Sequence, residues 1–208
     1  MAAPTAPAMQ FPSAPPTRRS SPGNTPIFTI RPRRPEDLAP LAVVLAEQQP
    51  RSLYPISWPL PFPVDDFLQR DGELAAFVAE DNRTGETVGH VSVCGCIEPP
   101  KDPKEAAELD AVWAAGHGCA VSELRIIGVL FTDPAYAGTG MGSALFNAAI
   151  EVARKDGGRP VLDCLRTNTG PLAFYQRRGW KMVGTWHNTI WVPGEELLVD
   201  LFILPDDK

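Results

Sequence analysis

The stretch AYAGTGMGSAL, residues 135–145, most restricts how this chain can fold, because it sets glycines at alternate positions between two apolar patterns. Residues 124–132, before it, are apolar on both alternating sets of positions, which is typical of a central strand covered on both faces. After the glycines, apolar residues recur at the spacing of an amphipathic helix, at Met141, Leu145, Ala148 and Val152. Glycine weakens the start of a helix, so Gly138, Gly140 and Gly142 indicate that a ligand approaches the backbone itself.

A strand, a glycine-rich turn and a helix start collect unpaired amide groups at one point outside the sheet, and such a point binds phosphate. A P-loop would need a Lys and then a Ser or Thr after the last glycine, but Ser143 and Ala144 follow it. A dinucleotide-binding turn would need a third glycine where Ser143 stands, although Asp163 could serve as its ribose-binding acid. A structural turn without a ligand is the remaining alternative.

Charge and composition exclude several classes of partner. A net charge of −6 over 208 residues argues against a nucleic-acid surface and makes a neutral or cationic substrate easier to accommodate. Apolar runs are too short to cross a bilayer, so we expect no membrane association and a cytoplasmic location. The sequence leaves open whether the chain forms a homodimer. The cysteines lack the paired spacing of a zinc site, so we expect thiols and no metal at Cys94, Cys96, Cys119 and Cys164.

The chain divides into a tail and one domain. Pro, Ala, Ser and Thr dominate residues 1–26, which we interpret as a disordered tail rather than a targeting signal. Residues 27–208 have the length of a single domain, with strand and helix patterns that follow one another along the chain. Residues 98–118 interrupt this order, and we interpret them as an insertion on a loop in which Pro103 opens a short helix.

Two stretches together resemble the GCN5-related N-acetyltransferase (GNAT) family: LFTDPAYAGTGMGSAL and, downstream, NTGPLAFYQRRGW. The resemblance is strong over residues 124–187 and weaker back to the first strand and helix, and it leaves out the tail and the insertion. It implies an α/β fold with a mixed, twisted central sheet of about six or seven strands, flanked by helices and splayed into a cofactor cleft. It also implies acetyl-CoA as the acetyl donor.

The resemblance assigns a set of residues to the cofactor. The turn amides would hold the pyrophosphate, and the preceding strand would pair with the pantetheine arm. Ala137 departs from the Arg or Gln usual there, so we expect weaker cofactor binding, for which Arg177 or Arg178 could compensate. Asn168 either caps the following helix or bonds the cofactor. The full set is Leu130, Phe131, Thr132, Ala137, Gly138, Thr139, Gly140, Met141, Gly142, Ser143, Asn168, Phe174 and Arg178.

Acetyl transfer to an amine needs a proton for the departing thiolate and a base for the ammonium. By resemblance Tyr175 donates the proton to sulfur, and its alternative role is core packing. Glu123 is a candidate base at the start of the strand before the turn, although the family's usual acidic position holds Ile126. His90 is a second candidate, because its ordinary pKa suits the task, and a structural role is its alternative. Lesser candidates for the base are Glu98, Asp163 and His187.

Aromatic residues are candidates for an acceptor pocket that is completed by the insertion. They are Tyr54, Trp58, Phe62 and Trp186, with His187 and Trp191 beside them. We expect a small-molecule primary amine as the acceptor, attacking directly in a ternary complex. Acetylation of a protein or peptide, and a CoA-binding regulatory module without activity, remain alternatives.

Overall fold

Seven strands form one open sheet in the computed structural model, which describes residues 26–96, 103–189, 191–192 and 194–206, the side chains of 103–107 apart. In chain order the strands are β1 (Phe28–Pro32), β2 (Glu73–Asp81), β3 (Thr87–Gly95), β4 (Leu124–Thr132), β5 (Arg159–Leu165), β6 (Lys181–Asn188) and β7 (Leu197–Ile203). Their order in the sheet is β1-β2-β3-β4-β5-β7-β6. The pairings are antiparallel except for that of β4 with β5, which is parallel. The mixed α/β sheet expected from the sequence is therefore confirmed.

Helices cover both faces of this sheet. They are α1 (Leu38–Ser52), α2 (Val64–Leu68), α3 (Pro103–His117), α4 (Met141–Ala153) and α5 (Thr169–Gln176). The amphipathic helix expected after the glycine turn is α4, which buries Met141, Leu145 and Phe146 against one face. On the opposite face α1 and α2 cover the β1–β4 half, while α3 covers the half formed by β5, β7 and β6.

The strands β4 and β5 separate after a short paired stretch. Their register ends where Ile126 faces Val161, so the remaining six residues of β4 have no partner on that side. On its other side β4 has an irregularity, because His90 pairs with Phe131 while Ser92 pairs with Gly128. Val129, inside this bulge, has a φ of 53°. The sheet therefore opens into a wedge at its centre, since a bulge bends its strand away from its neighbour.

The bulge corrects the expected alternation of side chains along β4. A regular strand would place Leu130 on the face of Leu124 and Ile126, opposite Ile127. Instead Leu130 packs with the same core cluster as Ile127, under α4. The extra residue in the bulge shifts the pattern by one position, which moves every following side chain to the other face.

The segment interpreted as a loop insertion contains the helix that Pro103 was expected to open. α3 is a helix of 15 residues whose Trp113 is buried against the sheet. Close packing fixes its position, because a Cβ on Gly184 of β6 would lie 2.7 Å from Val112. It is an element of the fold rather than a loop excursion. Residues 97–102 and the tail expected at residues 1–25 lie outside the described residues. Among the helices that the structure describes, none combines the length and apolarity needed to cross a membrane.

Candidate active site

A cleft of about 720 Å³ fills the wedge between β4 and β5. Residues 126–132 of β4 form one wall, and Asp163, Cys164 and Leu165 of β5 form the other. The proline-rich segment between α1 and α2 closes one side with Ile56 and Phe62. Side chains of β4 can therefore reach the cleft because the parallel ladder that would have covered them has ended.

The glycine turn leads directly from this cleft into α4. Gly138 and Gly140 have φ values of 77° and 87°, which favour glycine, and Gly140 is the N-cap of the helix. Within the described part of the chain, the amides of Gly138, Gly140, Gly142 and Ser143 have no hydrogen-bond acceptor. A Cβ at Gly138 or Gly140 would meet nothing within 4 Å, so the space in front of the turn is open. The turn therefore presents a set of donors that the protein does not use itself, which is the arrangement that an anion site at a helix start requires.

The remaining amides of the turn are used by the protein. The N–H of Ala137 donates to the Pro134 carbonyl at 3.1 Å, and that of Thr139 donates to the Tyr136 carbonyl at 3.2 Å. The N–H of Met141 donates to Oγ1 of Thr139 at 3.4 Å. The amides of the turn therefore fall into two sets: those of Gly138, Gly140, Gly142 and Ser143 are available, and those of Ala137, Thr139 and Met141 are not.

Arg178 carries its charge to the start of α4. Its Nη2 donates to Oγ of Ser143 at 2.6 Å, and its guanidinium carbon lies 3.7 Å from the centroid of the Phe174 ring. Ser143 belongs to the first turn of α4, so a cation stands beside the unpaired amides. Arg177 is exposed and has no such contact among the described residues. Of the two arginines considered as replacements for a side chain at Ala137, Arg178 is therefore the one at the site.

Tyr175 lies on α5 and reaches the cleft from the α4 face. Its ring packs against a cluster of aromatic rings, and its hydroxyl has no hydrogen-bond partner in the described part of the molecule. Burial raises the pKa of Tyr175 well above its ordinary value, with Cys164, Tyr54 and Asp163 adding to the shift. The phenol therefore remains protonated and can donate. The neighbouring rings are Phe146, Phe174, Trp180 and Phe202.

Other predicted cofactor residues surround the same cleft. Asn168 lies in the N-cap position of α5, but its side chain makes no capping hydrogen bond, and it lines the cleft. Leu130, Phe131 and Thr132 line the β4 wall. Phe174 does not line the cleft and instead supports the guanidinium of Arg178 from below.

The two predicted bases lie away from the cleft. Glu123 precedes β4, at the end where β4 and β5 are still paired, and its carboxylate accepts a hydrogen bond from the Ala120 amide at 2.7 Å. His90 is fully buried, with Nδ1 at 2.9 Å from the Val129 carbonyl and Nε2 at 3.1 Å from Nη1 of Arg33. Because Arg33 can only donate, Nε2 accepts and Nδ1–H donates to Val129.

Burial lowers the pKa of His90 to about 4, so the imidazole is neutral at physiological pH. Both of its nitrogens are already engaged with the protein. Neither His90 nor Glu123 contacts the cleft, which leaves them without access to an amine there. His90 instead holds the carbonyl of the bulged residue in place.

The predicted aromatic pocket is only partly assembled. Tyr54 and Phe62 line the cleft, and burial raises the pKa of Tyr54 to about 12. Trp58 packs against the cluster under α1 and α2 and does not line the cleft. Trp186 stacks edge-on against Trp191, with ring centroids 5.8 Å apart, and Trp191 is the one of this pair that lines the cleft. None of the described residues of α3 lines it.

Charged residues of the cleft were missed or ranked low in the sequence. Arg51 at the end of α1 and Arg70 after α2 line it, and neither stands in a recognisable motif. Asp163, only a lesser candidate for the base, lies on the β5 wall. A signal was available for Asp163 alone, because a charged residue in an otherwise apolar central strand is costly unless it faces a ligand or a partner. Across the described residues, no group of three or more His, Cys, Asp or Glu is placed to hold a metal ion.

Comparison with known proteins agrees with this geometry. The sequence profile of the acetyltransferase (GNAT) family matches residues 43–180. An uncharacterized N-acetyltransferase of Methanocaldococcus jannaschii is 43% identical over 117 residues, which make up 55% of this chain and 42% of that protein. The match thus spans less than half of the length of this relative.

Solved structures share the fold at low sequence identity. The NAA60 protein of Arabidopsis thaliana in complex with acetyl-CoA has a TM-score of 0.60 and 18% identity, covering 85% of this chain and 97% of that one. The ribosomal-protein-S18-alanine N-acetyltransferase of Escherichia coli has a TM-score of 0.58 and 14% identity, covering 87% and 96%. A chimeric spermidine N-acetyltransferase built from a Vibrio cholerae enzyme and hSSAT has a TM-score of 0.58 and 16% identity, covering 86% and 95%.

Proposed function

Because the chain belongs to the GNAT family of acetyltransferases, we propose that it transfers the acetyl group of acetyl-CoA to the primary amine of a small molecule, by direct attack in a ternary complex. The observation that carries the proposal is the set of unpaired amides at the start of α4, in the turn that follows β4, which forms one wall of the cleft that Tyr175 also lines. The amides would bind the diphosphate of the cofactor, and the hydroxyl of Tyr175 would protonate the departing thiolate.

Members of the family use acetyl-CoA, which supplies an activated acyl thioester. The residues of this chain fit it, because a pyrophosphate needs donors, and Gly138, Gly140, Gly142 and Ser143 have amides to give. Arg178 adds a positive charge beside them and offsets the lack of a side-chain donor at Ala137. Leu130, Phe131 and Thr132 would flank the pantetheine arm, as an added strand at the unpaired edge of β4.

Tyr175 acts in this proposal as the general acid. Its Oη is protonated in the resting state, because burial disfavours the phenolate, and it would donate this proton to the sulfur as the carbon–sulfur bond breaks. The ring is fixed by its aromatic neighbours, so the hydroxyl is held in the cleft without a competing hydrogen bond among the described residues. A positioned acid of this kind typically contributes ~10²–10⁴-fold to a rate.

The cleft favours a small acceptor over a protein chain. Its volume of about 720 Å³ is in the range of small-molecule sites, and the Ile56–Phe62 segment covers it from one side. The fold by itself does not select the acceptor, since the structures that share it carry names as different as ribosomal-protein-S18-alanine and spermidine acetyltransferase. The enclosing segment is what supports the choice.

Release of free thiol from acetyl-CoA tests the proposal. The purified chain is incubated with a panel of small primary amines and, in parallel, with short peptides that have free N-termini or lysines. We expect saturable thiol release with at least one small amine and only slow release with the peptides. Faster turnover of peptides would favour protein acetylation. Binding of CoA with no turnover of any acceptor would favour a non-catalytic module.

A further inference from the structure

We propose that the acceptor is a small amine that also carries an anionic group, with Arg70 binding the anion and Asp163 receiving the ammonium group. The inference rests on the proposed function and narrows its acceptor class. It reverses the preference for neutral or cationic substrates that the net charge of −6 suggests. The chain as a whole is negatively charged, whereas the cleft is lined by two arginines, Arg51 and Arg70, and one aspartate, Asp163.

Arg70 is positioned at the cleft by packing rather than by an ion pair. Its guanidinium carbon lies 5.1 Å from the centroid of the Phe67 ring, and its Nη1 is 3.9 Å from where a Cβ on Gly128 would stand. The head group is therefore held over β4, next to the bulge at Val129. In the part of the chain that the structure describes, no carboxylate forms an ion pair with it. A guanidinium left open in this way matches the two oxygens of a carboxylate or a phosphonate.

Asp163 faces Arg70 from the other wall. It stands on β5 two positions beyond Val161, which is the last residue paired with β4. Its carboxylate forms neither an ion pair nor a hydrogen bond with another side chain of the described residues. Burial raises the pKa of Asp163, and the positive charge of Arg70 acts in the opposite direction. A carboxylate that has no side-chain partner in a partly desolvated cleft is stabilised by an ammonium ion.

The spacing of these charges leaves room for a ligand with both signs. Arg70 and Asp163 line the same cleft without contacting one another as an ion pair. Arg51 adds a second positive charge at the mouth. Asp163 is the one carboxylate among the described residues that line the cleft, and most of the rest of the lining is apolar. A purely cationic amine would meet two arginines here, whereas a bipolar amine finds a partner for each end.

Asp163 is then also placed to prepare the amine for attack. The ammonium N–H bond breaks, an O–H bond forms on the carboxylate, and nitrogen keeps the electron pair that the attack requires. Asp163 returns the proton to solvent after turnover. Its other titratable neighbours at the cleft are Tyr54, Cys164 and Tyr175. Burial raises the pKa of each of these three groups, so they remain neutral and do not compete for the proton.

Matched pairs of amines test the acceptor class. Each pair joins an amine bearing a carboxylate with its carboxamide, and a second series replaces the carboxylate by a phosphonate, which separates the two kinds of anion. We expect the wild-type chain to show a higher kcat/KM for the anionic member in at least one series. Because amine basicity also differs within a pair, the decisive quantity is the change in the ratio between the wild type and a variant.

Arg70→Met supplies that variant. We expect it to reduce the anionic-to-neutral ratio of kcat/KM by about 10-fold to 100-fold, the usual effect of losing a hydrogen bond to a charged group, while any effect of the lost charge on Asp163 is common to both amines and cancels in the ratio. Arg34→Met, at an exposed arginine outside the cleft, is the control and should leave the ratio alone. The inference would be overturned if the anionic-to-neutral ratio of kcat/KM were the same in Arg70→Met and the wild type, or if the wild type preferred the neutral amines.

The variant Asp163→Asn distinguishes the role of Asp163 from that of Arg70. We expect it to lower kcat with anionic and neutral amines alike, because the ammonium is common to both, whereas Arg70→Met changes the ratio between them. Equal kcat in Asp163→Asn and the wild type would remove Asp163 from this role. If no amine is turned over, the proposed function fails. Calorimetry of the anionic amines with CoA present then decides the inference by itself, and binding that does not depend on Arg70 overturns it.

Discussion

At the scale of single residues, the structure separates groups that face the cleft from groups that support it. Tyr175 and His90 were both candidates for proton transfer in the sequence, and the structure places Tyr175 half-buried and His90 fully buried. The phenol has an unpaired hydroxyl at the cleft, while both nitrogens of the imidazole are bonded to the protein. A sequence gives the residue type and its position in a motif. It does not give the direction of a side chain, which for the residues of β4 depends on the bulge at Val129.

Replacing Tyr175 by phenylalanine tests its role as the acid. The ring and its packing against Phe146 and Trp180 are kept, so the fold and the affinity for acetyl-CoA should change little. We expect kcat to fall about 100-fold, at the lower end of what a positioned acid contributes. Steady-state kinetics with a calorimetric dissociation constant measures both quantities. A mutant with the kcat of the wild type would remove Tyr175 from the mechanism.

The lowered pKa of His90 predicts how the free energy of unfolding depends on pH. Its pKa in the folded chain is about 4, below the ordinary value of 6.5, so the unfolded chain binds more protons between these values. The contribution is complete above pH 6.5 and is lost as the pH falls towards 4. Between pH 7 and pH 5 it amounts to about 2 kcal/mol in the free energy of unfolding.

Urea unfolding of the wild type and of His90→Gln at both pH values measures this contribution. The wild type should lose about 2 kcal/mol more than the variant between pH 7 and pH 5. Arg33 and Arg70 disfavour the charged imidazole, and Asp37 favours it. All three residues are present in both the wild type and the variant, so their charges are the same in the comparison. Parallel losses in the two proteins would show that His90 titrates in the folded state as it does in the unfolded one.

At the scale of elements, the glycine turn, α4 and the start of α3 at Pro103 were predictable, while the bulge and the packing of α3 against the sheet were not. The bounds of β4 and the start of α4 follow from an apolar run and from glycines, which act locally. The bulge depends on pairing with β3, which is a long-range contact that no residue of β4 announces. α3 has an alanine-rich pattern with few large apolar residues, so its burial through Trp113 is evident only in the folded chain.

Two adjacent arginines on the α5 side of the turn give a matched test of the phosphate site. Arg178→Met removes the guanidinium that contacts Ser143, and Arg177→Met removes an exposed one. We expect Arg178→Met to weaken CoA binding about 10-fold, as for the loss of one charge-assisted hydrogen bond, and Arg177→Met to change it less than twofold. Calorimetry with CoA gives both values. Equal effects would mean that long-range charge, and not contact, attracts the cofactor.

At the scale of the whole molecule, the split of the sheet joins fold and function. The β1–β4 half and the half of β5, β7 and β6 each have their own helical cover, and they meet along the short paired ends of β4 and β5. The cleft begins where that pairing stops, so its position follows from the topology, while its charges come from three separate parts of the chain, at Arg51, Arg70 and Asp163. This is why the family could be recognised from the sequence and the acceptor class could not.

Trp113→Ala tests whether α3 belongs to the second half of the sheet. Trp113 is 2% exposed, so its truncation should cost about 3–5 kcal/mol in the free energy of unfolding. The control is Val43→Ala on the outer face of α1, where the valine is 56% exposed and the cost should stay below about 0.5 kcal/mol. Thermal or urea unfolding compares them. Equally small losses of unfolding free energy in the two variants would mean that α3 does not contribute to the core of this half.

If bare amides at the start of α4 hold the diphosphate, a Val side chain at position 140 should block its approach, which a calorimetric titration of Gly140→Val with CoA measures. Gly157→Val is the matched control, because Gly157 has a φ of 77° and open space like Gly140 but lies after α4. We expect CoA binding to fall by at least about 10-fold in Gly140→Val and to be unchanged in Gly157→Val, with both variants folded by circular dichroism. A folded Gly140→Val that binds CoA as tightly as the wild type would contradict this placement of the diphosphate.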